Sequence, residues 1–93
     1  MTFTALQTRR FARHYKKMHD NVATDVDAAV VRVCQAPRAG ERKKGDLSDL
    51  WVYKFKSQGQ VYLLGYTLDE GVRLVYLQGI GLHENFYRDL KRP

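Results

Sequence analysis

The hydrophobic pattern of this chain changes its period near residue 50, and this change restricts the possible folds more than any other feature. Within Trp51–Lys56, apolar and polar side chains alternate with a period of two, which is typical of a β-strand with one buried face. The alternation places Lys54 and Lys56 on the face opposite the aromatic side chains. Two more β-like runs follow, Gln60–Thr67 and Val72–Gln78, with short turns between the runs. The pattern predicts an antiparallel meander of three strands.

The first third of the chain has a helical period instead. Phe3–Leu6 is a short β-compatible run, which predicts a first strand. An apolar stripe then starts after Thr8, and the rest of that helix is covered with arginine and lysine. A second stripe spans Val22–Gln35, and Pro37 ends it. We expect these two helices, joined by a short turn, to form an antiparallel hairpin.

The predicted fold class is therefore α+β, with the element order βααβββ and a short terminal helix. In this arrangement the helix hairpin packs on one face of the antiparallel sheet. Pro37–Asp46 is predicted to be a basic loop, and Gly79-Ile80-Gly81 a turn that ends the last strand. With 93 residues, the chain is expected to be a single domain over residues 1–93.

The composition indicates a folded protein that attracts polyanions. Sixteen Lys and Arg against ten Asp and Glu leave a net charge of +6 and a pI near 9.7, which favours nucleic acid, acidic protein or an anionic surface as partner. No apolar run approaches the roughly 20 residues of a membrane span, and the N-terminus lacks the apolar segment of a secretory signal. The lone Cys34 has no cysteine partner for a disulfide or a metal site. We therefore expect a cytoplasmic protein that does not enter a membrane.

The segment after the predicted last strand carries the residues best suited to chemistry. His83, Glu84, Asn85 and Tyr87 stand within five residues of one another on a basic chain. Histidine changes its charge near neutral pH, tyrosine can stack on a base or donate a proton, and nearby lysines and arginines can hold a phosphate. This combination suits work on RNA. It is also consistent with a surface or helix-capping histidine and with a tyrosine that anchors the terminal helix in the core.

In this order, the elements and motifs resemble those of the RelE/ParE family of bacterial toxins from toxin–antitoxin modules. The resemblance covers nearly the whole chain and rests on the basic helix hairpin, on Gly45–Leu50, on Val52–Lys56 with Gly59, and on His83–Arg88. It implies a compact βααβββ fold and an antitoxin that wraps and silences the toxin. RelE-like members cleave mRNA on the ribosome, whereas ParE-like members inhibit DNA gyrase, and the fold alone does not select between them.

The resemblance also implies candidate catalytic residues, position by position. Lys54 and Lys56 are similar to the alternating lysines on the first meander strand of the RNA-cleaving members, and Tyr87 to the terminal tyrosine that stacks on the substrate base. His83 occupies the region after the last strand where relatives supply an arginine or a histidine. The second meander strand has no arginine where RelE has a catalytic one, and Arg73, on the next strand, is the nearest replacement.

RNA can be cut without a metal ion because its own 2′-hydroxyl attacks the adjacent phosphate. His83 is the expected general acid or base, and the lysine pair and Arg73 are expected to neutralise the developing charge. We expect no cofactor, and no metal site, since His14 and His19 have no partners at metal-ligand spacing. Cations expected to bind the substrate are Arg42, Lys43, Lys44 and Arg88.

Three functional hypotheses follow from these residues. The first is a ribosome-dependent, metal-independent mRNA endoribonuclease toxin, whose partners are an acidic antitoxin, the ribosome and mRNA. The second is a ParE-like toxin that binds DNA gyrase and performs no chemistry, and the third is a basic module that only binds nucleic acid. The lysine pair and Tyr87 favour the first hypothesis, and the missing strand arginine favours the second.

Overall fold

The order of the strands explains how the two ends of the chain meet. The computed structural model describes residues 2–43 and 49–91. In that part of the chain, five strands form one sheet in the spatial order β1-β5-β4-β3-β2: β1 (Thr4–Gln7), β2 (Glu41–Arg42), β3 (Trp51–Ser57), β4 (Gln60–Asp69) and β5 (Leu74–Leu82). β1 pairs with β5 in parallel, and the other neighbouring strands are antiparallel. The predicted meander of β3, β4 and β5 is confirmed.

The helices also follow the predicted order. They are α1 (Arg9–Lys16), α2 (Asp20–Gln35) and α3 (His83–Lys91), with a short 3-10 helix at Pro37–Ala39 after α2. Thr8 is the N-cap of α1, because its hydroxyl oxygen accepts a hydrogen bond from the Phe11 amide at 3.3 Å. The same hydroxyl donates to the Leu77 carbonyl at 2.7 Å, which ties the start of α1 to β5. The α+β class and the order βααβββ with a terminal helix are confirmed.

The two faces of the sheet bury two different clusters. The α1–α2 hairpin covers one face, where Phe11, Val26 and Val33 pack against the buried side chains of Leu64 and Tyr66. α3 covers part of the other face, which we call the α3 face. Its buried residues are Leu50, Val52, Leu63 and Phe86. The alternation along β3 therefore separates the sheet into a structural face and a face partly open to solvent.

The predicted turn at Gly79-Ile80-Gly81 is wrong, because β5 continues without interruption to Leu82. Gly79 instead makes room for α3, as Gly65 does on the neighbouring strand. A Cβ atom at Gly79 would lie 3.2 Å from Leu90 Cδ1, and one at Gly65 would lie 2.6 Å from Phe86 Cζ. Small residues on the α3 face thus let the terminal helix lie close to the strands.

The predicted basic loop contains a strand that the sequence pattern does not show. Glu41 and Arg42 form β2 and pair with Val52 and Trp51. The hydroxyl of Tyr66 holds this segment on the sheet, since it donates to the Pro37 carbonyl at 2.5 Å and accepts from the Gly40 amide at 3.2 Å. Two residues are too few to establish a period, so hydrogen bonding alone defines this strand. Lys44, Gly45, Asp46, Leu47 and Ser48 lie outside the described residues.

The two turns of the meander are close to those predicted. Gln58 and Gly59, with φ of 53° and 77°, connect β3 and β4 as a two-residue turn. Between β4 and β5, the Asp69 carboxylate accepts hydrogen bonds from the amides of Gly71 and Val72. The placement of Arg73 on the last strand is wrong: it lies in this second turn with φ of 56°, and β5 begins one residue later.

None of the helices in residues 2–43 and 49–91 is long and apolar enough to cross a membrane.

Candidate functional site

A groove of about 350 Å³ on the α3 face brings together four of the nine candidate residues, and we call it the α3 groove. It lies where β2, β3 and the start of α3 meet. The described residues that line it are Ala39, Glu41, Lys43, Val52, Tyr53, Lys54, Leu63, His83 and Tyr87. Apolar strand residues form its floor, and titratable side chains surround them.

The alternation of side chains in β2 decides which residues of this segment enter the groove. Glu41 and Lys43 are two positions apart and both line the α3 groove. Arg42, between them, lines a separate cavity of about 640 Å³ together with Arg38 and Trp51. The Lys43 amide donates to the Leu50 carbonyl at 2.8 Å, so the backbone remains on the sheet just beyond β2.

Lys43 is held by two partners inside the groove. Its ammonium lies 3.2 Å from the Glu41 carboxylate and 5.5 Å from the centre of the Tyr87 ring, a cation–π distance. The Tyr87 hydroxyl and then Glu41 raise the pKa of Lys43, while burial opposes them. Lys43 is therefore a permanent cation at the rim of the groove.

α3 supplies the two groups that the sequence singled out. The helix begins at His83, directly after β5, and the i, i+4 spacing places His83 and Tyr87 on the same side of it. His83 is exposed and also borders a smaller cavity beside Val61 and Leu82. Tyr87 is half-buried, and its ring meets that of Phe86 edge-to-face at 5.0 Å. Phe86 is the buried anchor of α3, so Tyr87 is left to face the groove.

The two lysines of β3 lie on the α3 face, as predicted, but they take different positions. Lys54 pairs with Leu63 and lines the groove. Lys56 is exposed, lies two residues further along the strand, and pairs with Val61, which lines the smaller cavity that His83 also borders. Lys54 thus lines the groove, and Lys56 does not.

Three other predicted residues, Arg73, Arg88 and Arg42, do not line the groove. Arg73 precedes the first residue of β5, whereas His83 follows the last one, so the full length of a nine-residue strand separates them. The exposed Arg88 donates to Asn85 at 2.9 Å and does not line the groove. Arg42 lies on the other side of β2, and Lys44 is outside the described residues. Arg73 is therefore not a replacement for a groove arginine in this structure.

Glu41 is a groove residue that the sequence pattern does not indicate. The signal was weak, because a carboxylate in a basic loop shows no periodic partner until β2 is recognised. Among the described residues, no three side chains of histidine, cysteine, aspartate or glutamate are grouped as a metal site would require.

Comparison with known proteins identifies the family. A family model for the ParE-like toxins of type II bacterial toxin–antitoxin systems matches residues 5–91. No curated protein sequence matches the chain. The fold is similar to that of the free RelE toxin of E. coli with two arginines replaced by alanine, with a TM-score of 0.76 and 20% identity over 97% of this chain and 90% of that chain.

Toxins solved together with their antitoxins have the same fold. The RelBE2 toxin–antitoxin complex of Mycobacterium tuberculosis matches with a TM-score of 0.78 and 18% identity over 89% of this chain and 100% of that chain. The intact E. coli RelBE complex matches with a TM-score of 0.71 and 21% identity over 86% of this chain and 95% of that chain. These identities are low and show only that the fold is shared, whereas the family model matches almost the whole sequence. The chain belongs to the ParE-like toxins of type II bacterial toxin–antitoxin systems.

Proposed function

We propose that this toxin cleaves mRNA on the ribosome without a metal ion. The observation that carries the proposal is the composition of the α3 groove, where Glu41, Lys43, Lys54, His83 and Tyr87 line one cavity. RNA cleavage by the internal 2′-hydroxyl needs a base, an acid and a cation around one phosphate. The groove, with a volume of about 350 Å³, offers all three kinds of group.

The proton transfers can be assigned to two side chains. The 2′-oxygen attacks phosphorus, and the bond from phosphorus to the 5′-oxygen breaks, which leaves a 2′,3′-cyclic phosphate and a 5′-hydroxyl. One group must accept the 2′-hydroxyl proton and another must protonate the 5′-oxygen. His83 and Glu41 are the imidazole and the carboxylate that line the groove, and both kinds of side chain serve as general acids and bases in enzymes. We assign the two transfers to this pair.

The other groove residues hold the substrate. Lys54 and Lys43 are cations that can neutralise the additional negative charge on the phosphate. Tyr87 supplies an aromatic surface on which an unstacked base can rest, as single-stranded RNA is commonly held by proteins. The net charge of +6 supports attraction to the ribosome and to mRNA. Because both are cytoplasmic, the proposal places the toxin in the cytoplasm.

A cognate acidic antitoxin is part of the proposal. The charge of the chain supports it, and so does the fold that it shares with toxins solved in RelBE toxin–antitoxin complexes. We expect the association rate of this complex to fall as salt is added, because screening weakens electrostatic attraction. Stopped-flow mixing at several salt concentrations measures it. An association rate independent of salt would contradict electrostatic docking.

Single-turnover cleavage of mRNA on programmed ribosomes tests the chemistry. We expect His83→Gln to retain ribosome binding and to lower the cleavage rate by roughly two to four orders of magnitude, the usual contribution of a general acid or base. His19→Gln is the matched control, since His19 is exposed and caps α2 without a side-chain hydrogen bond. Cleavage by His83→Gln at the rate of the control would remove His83 from the mechanism.

Tyr87 variants separate stacking from proton transfer. If the ring holds a base, Tyr87→Phe keeps most of the cleavage rate and Tyr87→Ala loses it, because stacking contributes roughly 1–3 kcal/mol per base. Equal losses in both variants would assign the function of Tyr87 to its hydroxyl instead.

A second function, inhibition of DNA gyrase without chemistry, is favoured by two observations. The matching family model is that of the ParE-like toxins, and the described residues of the α3 groove include no arginine. Pulse labelling after induction distinguishes the two functions. Early loss of protein synthesis supports mRNA cleavage, whereas early loss of DNA synthesis with an SOS response supports gyrase as the target.

A further inference from the structure

The Tyr87 ring is already covered by a charge before any substrate arrives. The Lys43 ammonium lies 5.5 Å from the ring centre, and it lies 3.2 Å from the Glu41 carboxylate. The Lys43 side chain is only 29% exposed, whereas that of Glu41 is 78% exposed. Lys43 therefore packs into the groove and is not simply a solvated surface cation.

The ring itself cannot easily turn away from this cation. Phe86 is 3% exposed and meets Tyr87 edge-to-face at 5.0 Å with an angle of 88° between the rings. Tyr87 also packs against the buried cluster under α3. A base that stacks on the groove side of Tyr87 must therefore displace Lys43 from it.

Resting on the proposed function, we infer that Lys43 makes base stacking on Tyr87 depend on a phosphate bound in the same groove. A nucleoside alone must displace the ammonium from the ring and offers it no anion in return. A nucleotide offers a phosphate, which forms a charge-assisted hydrogen bond with the displaced lysine. Lys43 is thus a specificity-determining residue that selects a base with its attached phosphate over a base alone.

Lys43 leaves the Tyr87 ring by movement of its charged side chain and not by loss of its proton. The Tyr87 hydroxyl and Glu41 raise the pKa of this lysine above its ordinary value. Loss of its proton near neutral pH is therefore negligible, and the charge has to move to another anion. The phosphate is the anion that every RNA substrate brings with it.

Binding of nucleosides and their 3′-monophosphates to the free toxin tests the inference. We expect wild type to bind the four 3′-monophosphates more tightly than the matching nucleosides, as measured by NMR titration of the Tyr87 ring signals. In Lys43→Met, an uncharged side chain of similar length no longer has to be displaced as a cation. Its affinity for nucleosides should rise by roughly three- to thirtyfold, the worth of a cation–π contact. Its affinity for the 3′-monophosphates should fall by roughly tenfold, with the loss of a charged hydrogen bond.

Lys54→Met is the matched control, because it removes the same charge from the same groove without a described contact to Tyr87. It should weaken binding of the 3′-monophosphates and leave nucleoside binding unchanged. Opposite changes in the two ligand classes for Lys43→Met alone support the inference. A fall or no change in nucleoside affinity for that variant would overturn it, as would a wild type that binds neither class at millimolar concentration. Cleavage of mRNA by the same preparation shows separately whether the proposed function holds.

Discussion

Replacement of Gly65 by alanine tests how closely α3 must lie on the sheet. The added Cβ would come within 2.6 Å of Phe86 Cζ and 3.3 Å of Leu50 Cδ1. Phe86 is 3% exposed and Leu50 is 5% exposed, so both neighbours are packed and neither side chain can swing out into solvent. We expect the helix to shift away from the strands, which carries His83 and Tyr87 with it.

Gly81→Ala provides the control that makes the magnitude measurable. Gly81 lies on the same face of the sheet, opposite Leu63, and a Cβ there would meet no atom within 4 Å. Neither Gly65 nor Gly81 has positive φ, so alanine adds no backbone strain at either site. Both substitutions lower the entropy of the unfolded chain equally, by about 0.4–1 kcal/mol. The difference between the two variants therefore isolates the steric cost.

We expect Gly65→Ala to be less stable than Gly81→Ala by about 1–3 kcal/mol, the usual cost of overpacking a buried site. For a chain of this size the melting temperatures should differ by roughly 5–20 °C. Urea unfolding followed by the fluorescence of Trp51, the single tryptophan, measures the free energy of unfolding. Phe86→Leu should recover part of the loss in the double variant. Equal stability of the two alanine variants would refute the reasoning that Gly65 makes room for α3.

Three further predictions concern Tyr66, Cys34 and the lysines of β3. Tyr66→Phe should lower the free energy of unfolding by about 1–3 kcal/mol in urea titrations, because it leaves a partly buried carbonyl and a partly buried amide without their partner. Burial raises the pKa of Tyr66 above 10.0. The stability that this shift contributes is therefore complete below pH 10 and is lost as the pH rises further. The phenylalanine variant should accordingly lose less stability than wild type between pH 9 and 11. Burial also raises the pKa of Cys34, and its reaction with a thiol reagent at pH 8 should be slower in the folded protein than after unfolding in urea. The double variant Lys54→Ala, Lys56→Ala should no longer arrest growth, because it lacks two cations proposed to act on the phosphate. Its urea unfolding should stay close to that of wild type, since both side chains are exposed. Full growth arrest by the folded double variant would exclude both lysines from the mechanism.

Periodicity in the sequence predicted the elements that bury one continuous face. The stripe through Val26 and Val33 and the alternation along β3 have enough residues to define a period, and both are found as predicted. The i, i+4 spacing of His83 and Tyr87 likewise predicted two groove residues, because one helix holds both. Local pattern is sufficient wherever one element determines the position of a side chain.

The features that the sequence did not reveal depend on two elements that are distant along the chain. Gly79 reads as a turn residue unless the helix above it is known, and β2 exists through hydrogen bonds to β3 and to Tyr66. Glu41 enters the groove only through β2. The position of Arg73 was missed for a different reason, since a non-glycine residue with φ of 56° is uncommon and no residue type predicts it there.

The parallel pairing of β1 with β5 delays completion of the fold during synthesis of the toxin. Thr4 pairs with Leu74, so the first strand has no partner until the ribosome has added about 70 further residues. At ordinary elongation rates that delay is roughly 4–14 s. α3, which completes the groove, is made later still. A chain that ends before β5 therefore lacks the partner of β1, one that ends before α3 lacks the groove, and a cell that makes this protein is exposed to the folded toxin only once α3 has been synthesised.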